Sequence, residues 1–255
     1  LRKIFQLSDS VLEKIYPPQL DSYQLSRKDK VSTSSSLWKM ISEVLKTLQI
    51  EDLQVYITEI PLAQPVLENT VPPTLLLSQK LLDELSSEEL YFLLSQHLFF
   101  VAEEQLFLAK LSSEELHNYI ECLSGCFPLE KKSGEETKIR HLLQKRIKSA
   151  IPRKIRKDLE ELMNQYHQHP VPLSCQDYRQ SFHQVAKRCG LLFSNSLFHS
   201  VHYLARLEHK ENLQNLSTRE LLETLRSWPE ILHLIEFSLS PALLRLRQEI
   251  GFRLS

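Results

Sequence analysis

Glycine is almost absent from this chain: there are only 4 in 255 residues, at positions 125, 134, 190 and 251. So small a supply leaves no room for a glycine-rich phosphate loop, and no Gly-x-Ser-x-Gly elbow presents a nucleophilic serine. An excess of charge is also missing. The 31 Lys and Arg are matched by 32 Asp and Glu, so no global field recruits nucleic acid or a membrane. Long apolar runs are lacking as well: the richest stretch is interrupted by Gln96, His97, Glu103 and Glu104, short of the roughly 20 apolar residues of a membrane span. Cysteine is sparse. Cys122, Cys126, Cys175 and Cys189 are too few and too unevenly spaced for a disulfide framework, so the expectation is a reducing, cytoplasmic compartment. Cys122 and Cys126 stand four apart with no second pair of soft ligands nearby, which reads as buried structural thiols. The chain opens on Leu1 rather than methionine, which reads as a chain trimmed, processed or excised from a longer protein, and no signal-peptide pattern is visible at this start.

What is present is a helix-rich composition, 42% apolar, with 12 prolines placed between apolar-periodic segments. The expected fold is mainly α with a small β element, an α+β helical domain with a short hairpin or two to three strands. Residues 1–36 read as an N-terminal helix or arm that ends in a polar run from Ser32 to Ser36. Leu37, Met40, Ile41, Val44, Leu45 and Leu48 recur at helical spacing. Leu53 to Ile60 alternates and is β-branched, predicting a strand, with Thr74 to Leu77 as its partner and a loop between them. Ser86-Ser87-Glu88-Glu89 caps a helix predicted to run to about Leu111, where a near copy of the same signal starts the next. Further helices are expected around Pro152, over 176–190 and 194–208 with a connection at Gly190, over 218–226, and from Ile231 to Ile250. The region 37–255 reads as one domain, its C-terminal helices 218–255 completing it.

The order of a strand, a proline-containing loop, a strand LLLS and then LLDELSSEELYFLLSQHL resembles the HtpX and CAAX-prenyl-protease family of zinc metallopeptidases, over roughly 37–208. That resemblance implies a zincin-like core whose last helix carries His-Glu-x-x-His: two imidazoles on one face bind zinc and the glutamate deprotonates the bound water. Laid on this chain, the ligand positions hold Gln96 and Phe100 and the base position holds His97. The family's third ligand lies in a pattern like Glu-x-x-Ala-Asp-Arg-x-Gly. Residues 183–190, HQVAKRCG, are similar to it, with His183 at the ligand position and Lys187 in place of Asp. The resemblance thus implies a scaffold without its metal site, and no cofactor. Trp228-Pro229 and the segment LIEFSLSPALLRLRQEIG are similar to the ends of degenerate domains in large bacterial helical-repeat proteins.

One local charge asymmetry stands out: residues 131–157 hold eleven Lys or Arg and two acids. Apolar residues spaced through it make an amphipathic helical surface, with Arg153, Lys154, Arg156 and Lys157 as candidate contacts for an anionic partner. Few aromatics interleave for base stacking, so a solvated face or an acidic protein partner is the simpler reading, with nucleic acid less favoured. The pair His199 and His202 reads as surface or packing histidine. Three expectations follow: a non-catalytic metallopeptidase-like module that binds protein partners within a larger bacterial protein; a helical module that binds nucleic acid or an anionic surface through 131–157; or a metal-dependent hydrolase with ligands rearranged around His97 and His183.

Overall fold

The computed structural model describes residues 1–127, 138–169, 174–208 and 217–251, apart from the side chains of residues 218, 221 and 222. The architecture is mainly helical with one small sheet, as expected. The sheet has three strands, β1 (Gln54–Thr58), β2 (Val66–Glu68) and β3 (Thr74–Ser78), in the order β1-β3-β2. The two predicted strands do pair, but in parallel, from Gln54 opposite Thr74 to Thr58 opposite Ser78. The predicted loop contains β2, which adds antiparallel to the other side of β3, with Leu67 opposite Leu75. Three residues directly after Pro65 are too short to show a period, so the sequence hid this strand. β3 lies in the middle, and its Leu75, Leu76 and Leu77 are fully buried, consistent with a strand covered on both faces.

The N-terminal residues form α1 (Arg2–Leu7) and α2 (Asp9–Ile15), and Ile4, Phe5, Val11, Leu12 and Ile15 enter the main core. Two 3₁₀ turns lead to α3 (Ser36–Thr47), capped by the Ser35 hydroxyl. α4 (Gln79–Glu84) follows β3 directly. Then comes α5 (Ser87–Ala102), started by a full capping box in which Ser86 Oγ accepts from the Glu89 N–H and the Glu89 carboxylate from the Ser86 N–H.

α5 is shorter than its apolar content suggests. The helix predicted to reach Leu111 stops at Ala102, and α6 (Leu106–Lys110) follows as a separate turn. The break is a Schellman closure: the Gln105 N–H bonds Phe100 O at 2.9 Å and the Glu104 N–H bonds Val101 O at 3.1 Å, with Glu104 left-handed at φ 55°. Glycine usually fills that position, and a glutamate there gives no sequence signal. α1 lies against the break, with Arg2 pairing Glu103 at 2.5 Å and Gln6 donating to Glu104.

The second LSSEEL copy caps α7 (Ser113–Gly125) in the same way, through Ser112 and Glu115. α8 (Lys138–Ala150) and α9 (Arg153–Gln168) meet at Pro152, and α8 packs on α2 and α7 while α9 packs on α1. α10 (Cys175–Ser194) runs straight through Gly190, which was expected to be a connection. A Cβ there would lie 2.8 Å from the Phe92 ring and 2.9 Å from the Phe92 carbonyl oxygen. Gly190 is therefore the point of closest approach between α10 and α5, the most extensive helix pairing among the described residues. Asn195, left-handed at φ 54°, ends α10.

α11 (Leu197–Leu207), α12 (Thr218–Arg226), α13 (Pro229–Ser238) and α14 (Pro241–Glu249) close the chain. The helical region expected from Ile231 to Ile250 is divided in two, because Ser240 and Pro241 form an N-cap and first-turn proline that restart the helix. These helices bury a second cluster, including Tyr203, Leu204, Trp228, Ile231 and Leu234, against Phe92 and Leu93 of α5. α5 is thus apolar on nearly every side because both cores share it.

All four cysteines are free; Cys122, Cys126 and Cys175 are buried and Cys189 is partly so. No helix among the described residues is long and apolar enough to cross a membrane.

Candidate functional site

Burial in α5 reaches two residues that an apolar core does not need, Gln96 and His97, each only 8% exposed. They line a cleft of about 480 Å³ together with Phe100 of the same helix, Glu68 of β2, Lys110 of α6, Glu115 of α7, and Arg179 and His183 of α10. Gln96, His97, Phe100 and His183, the residues that the sequence resemblance picked out, therefore converge. Lys187 does not line the cleft. It forms an ion pair with Glu230 of α13 and ties α10 to the C-terminal helices.

Each imidazole is locked by a backbone carbonyl. His97 Nδ1 donates to Leu93 O, one turn back on α5, at 2.8 Å, and this leaves Nε2 as the acceptor nitrogen. His183 Nε2 donates to Leu108 O at 3.3 Å, and the same oxygen accepts Arg179 Nε–H at 3.0 Å. α6 is too short to satisfy that carbonyl itself, because the Ser112 N–H one turn on is engaged by Glu115. Burial pushes His97 down to about 4. Burial also lowers His183 to about 4, helped by the cations Arg179 and Lys187 and by His97. Both rings are neutral at pH 7.

Phe100, 1% exposed, packs its ring against His183 at 4.9 Å and Phe182 at 5.3 Å. It fills the space between α5 and α10 with carbon. Gln96 Oε1 is buried without a hydrogen-bond partner among the described residues. Lys110 carries the cleft's strongest polar contact: its Nζ donates to Glu68 Oε2 and Asn69 Oδ1, both at 2.6 Å, and to the carbonyls of Pro17 at 3.1 Å and Tyr16 at 3.4 Å. With Glu68 3% and Lys110 12% exposed, this is a buried ion pair with its remaining hydrogen-bonding capacity supplied.

The residues present do not fit a zinc ion held by three or four protein ligands. Phe100 offers no donor atom, Gln96 only an amide, and no group of three or more His, Cys, Asp or Glu suited to a metal exists among the described residues. Sequence reasoning missed Glu68, Lys110 and Arg179. Arg179 had a usable signal, since it stands one turn before His183 on the same helix face. Glu68 and Lys110 had none, because their pairing depends on β2 and α6, the two elements the sequence concealed.

The two LSSEEL copies use their capping glutamates differently. Glu89, 3% exposed, also accepts from His202 Nδ1 at 2.8 Å and Arg206 Nη2 at 3.2 Å, fastening α11 to the start of α5. Burial would raise its carboxyl, but the bonds from His202 and Ser86 and the Arg206 charge outweigh it and hold the group below the usual carboxylate range. Glu115 instead faces the cleft.

Arg153, Lys154, Arg156 and Lys157 are exposed on the first turns of α9. That helix starts at Pro152 with no side-chain cap and no acid in its first turn. Arg156 lies over the Phe127 ring at 5.8 Å. The expected apolar seam is split: Ile147 and Ile151 are buried, whereas Ile139 and Leu142 are 80% and 61% exposed. Residues 131–137 of the basic segment lie outside the described residues, and from Lys138 to Lys157 there are nine Lys or Arg and no acid.

No family model, curated protein or solved structure matches this chain.

Proposed function

We propose that the chain is a non-catalytic, metallopeptidase-like domain of a larger bacterial protein, retained in the cytoplasm as a structural and protein-interaction module. The observation that carries this reading is the convergence of Gln96, His97, Phe100 and His183 on one cleft that lacks a ligand set. Two neutral imidazoles whose protons are committed to carbonyls, beside a phenylalanine ring, provide neither a three-ligand cation site nor a carboxylate placed to activate water. The buried Lys110–Glu68 pair supports a cleft kept as architecture, since it joins β2 to α6. The test is metal analysis of protein purified without chelator, together with a casein-cleavage assay in added zinc. The reading expects less than about a tenth of an equivalent of bound metal and no cleavage. Stoichiometric zinc lost in His97→Gln and His183→Gln would overturn it in favour of a metal-dependent hydrolase with rearranged ligands.

A second reading rests on the nine cations without an acid between Lys138 and Lys157. It makes α8 and α9 a surface for nucleic acid or another polyanion. Binding to a duplex oligonucleotide that weakens steeply with salt, and is lost when Arg153, Lys154, Arg156 and Lys157 are all changed to Gln, would favour it.

A further inference from the structure

We propose that the cleft between α5 and α10 holds a carboxylate-binding subsite anchored by Arg179, so that its ligand is a molecule or chain end bearing a single free carboxylate. This rests on reading the domain as non-catalytic and goes beyond it in giving the cleft a ligand.

Two cations line the cleft, Lys110 and Arg179. Lys110 is surrounded by four oxygens, one of them the Glu68 carboxylate, and has no charge left to offer. Arg179 differs: its one hydrogen bond among the described residues is Nε–H to Leu108 O at 3.0 Å. No carboxylate among the described residues pairs with it, and burial alone lowers its basicity. A half-buried guanidinium without a counter-charge is costly, whereas the buried carboxylates Glu68 and Glu89 both have theirs; Arg188 and Arg247 also have unpartnered Nε atoms, but of the three only Arg179 lines the cleft.

The geometry selects the shape of the anion. With Nε held by Leu108 O, the guanidinium keeps its end-on edge, two parallel N–H groups that match the two oxygens of a carboxylate. His183, neutral and fixed by the same carbonyl, stands one turn along α10, and its Nδ1 is an acceptor. Gln96 also lines the cleft from α5, but its unpartnered amide oxygen is buried, out of a ligand's reach. His97 Nε2 is a further acceptor. A ligand with a carboxylate and an adjacent N–H or O–H therefore meets a guanidinium at one end and two acceptors beyond it, His183 Nδ1 and His97 Nε2. Dianionic phosphate fits less well, because only one cation of the cleft is unpaired and Glu115 lines the same space. A volume of about 480 Å³ accommodates a small acid or the last residues of a peptide.

The test uses the full chain and four probes: acetyl-trialanine with a free C-terminus, the same peptide as its C-terminal amide, acetate and inorganic phosphate, followed by ¹H–¹⁵N chemical shifts. The free acid should bind at least about tenfold more tightly than the amide and perturb the amides of Gln96 and His183. Arg179→Gln should bring that ratio close to one, while Arg179→Lys, which keeps the charge but not the fork, should retain part of it. Both variants should keep the wild-type helical circular dichroism. If acetate binds as tightly as the tripeptide, the source is a small free acid; if the tripeptide is tighter, it is a chain terminus. Equal affinity for acid and amide, an unchanged ratio in Arg179→Gln, or phosphate competing better than acetate would each overturn the subsite. Mass spectrometry of the recovered peptide separates the two ideas, since cleavage would defeat the non-catalytic reading, whereas an intact peptide that does not bind defeats only this one.

Discussion

The α5–α10 contact and the α8–α9 layer handle polarity in opposite ways. Between α5 and α10 the backbones approach until only glycine fits at position 190, and the few polar groups admitted, Gln96, His97 and His183, are inside or at the edge of the protein. In α8 and α9 the apolar residues Ile147, Leu159 and Met163 are buried along one side while the cations point to solvent. A buried polar group must be compensated at a cost set by desolvation, whereas an exposed lysine is nearly free. The difference is one of cost: the polar residues of the first region need compensation inside the protein, and those of the second need no structural reason at all.

The largest test of that contrast is Lys110→Met. It leaves the Glu68 carboxylate buried and unpaired and should cost about 3–5 kcal/mol in urea denaturation. Adding Glu68→Leu should recover most of the loss, because it is the orphaned charge rather than the missing attraction that destabilises. Lys154→Met on α9 should change stability by less than about 0.5 kcal/mol. Equal losses from Lys110→Met and Lys154→Met would dissolve the contrast.

The helix contact itself gives the next test. Phe92→Ala removes a fully buried ring next to Gly190 and should cost about 3–5 kcal/mol. Gly190→Ala pushes a methyl against both that ring and the Phe92 carbonyl, and should cost about 1–3 kcal/mol, since the backbone oxygen cannot swing aside. Combined, the two should cost less than their sum, because the missing ring makes room for the methyl. Strict additivity would mean that α10 and α5 do not meet at these residues.

Acid should find the first region before the second. His97 and His183 titrate near 4 in the folded protein against an ordinary 6.5, so between these values the unfolded chain holds protons that the folded one does not. Their contribution is present above pH 6.5 and is lost as pH falls toward 4, with a limiting slope of about 1.4 kcal/mol per pH unit for each ring. Asp9 opposes them: burial, with Glu13 and Glu104 nearby, raises it to about 6, so its folded form gains protons first and favours folding over that window. Two groups outweigh one. Denaturation midpoints measured from pH 7.5 to 4.5 should fall, and His97→Gln should flatten the decline. An unchanged slope would place His97 in contact with water.

Much of this was legible in the sequence, for identifiable reasons. Period and caps give α3, α5, α7 and α12, because Ser35, Ser86, Ser112 and Ser217 supply a local hydrogen bond that residue type alone announces. The convergence of Gln96, Phe100 and His183 was open to inference, since each lies on a long helix whose facing side is apolar. What stayed hidden depends on contacts distant in sequence. β2 exists because Leu67 meets Leu75, α5 ends because Glu104 adopts a left-handed turn steadied by α1, and Gly190 resembles a helix breaker until Phe92 is seen against it. Lys110 became visible as a site residue only once the short α6 presented it to the cleft, whereas Arg179 could have been found from its place one turn before His183.

The smallest expected effect sharpens the comparison most, because it asks whether the basic layer is structurally idle. The first turn of α9 carries Arg153, Lys154 and Arg156 at the positive end of the helix dipole, without a side-chain cap. α5 and α7 place Glu88, Glu89, Glu114 and Glu115 at the same positions, where negative charge is favoured. For the isolated protein α9 therefore has the wrong sign, and Lys154→Glu should stabilise it by about 0.3–1 kcal/mol at low ionic strength, a gain that fades in 1 M salt as the charges are screened. If the substitution destabilises instead, Lys154 makes a structural contact and the α9 cations are part of the fold. If it stabilises while weakening a polyanion complex, the sequence keeps these cations against the helix's own electrostatics, and their reason lies in a partner.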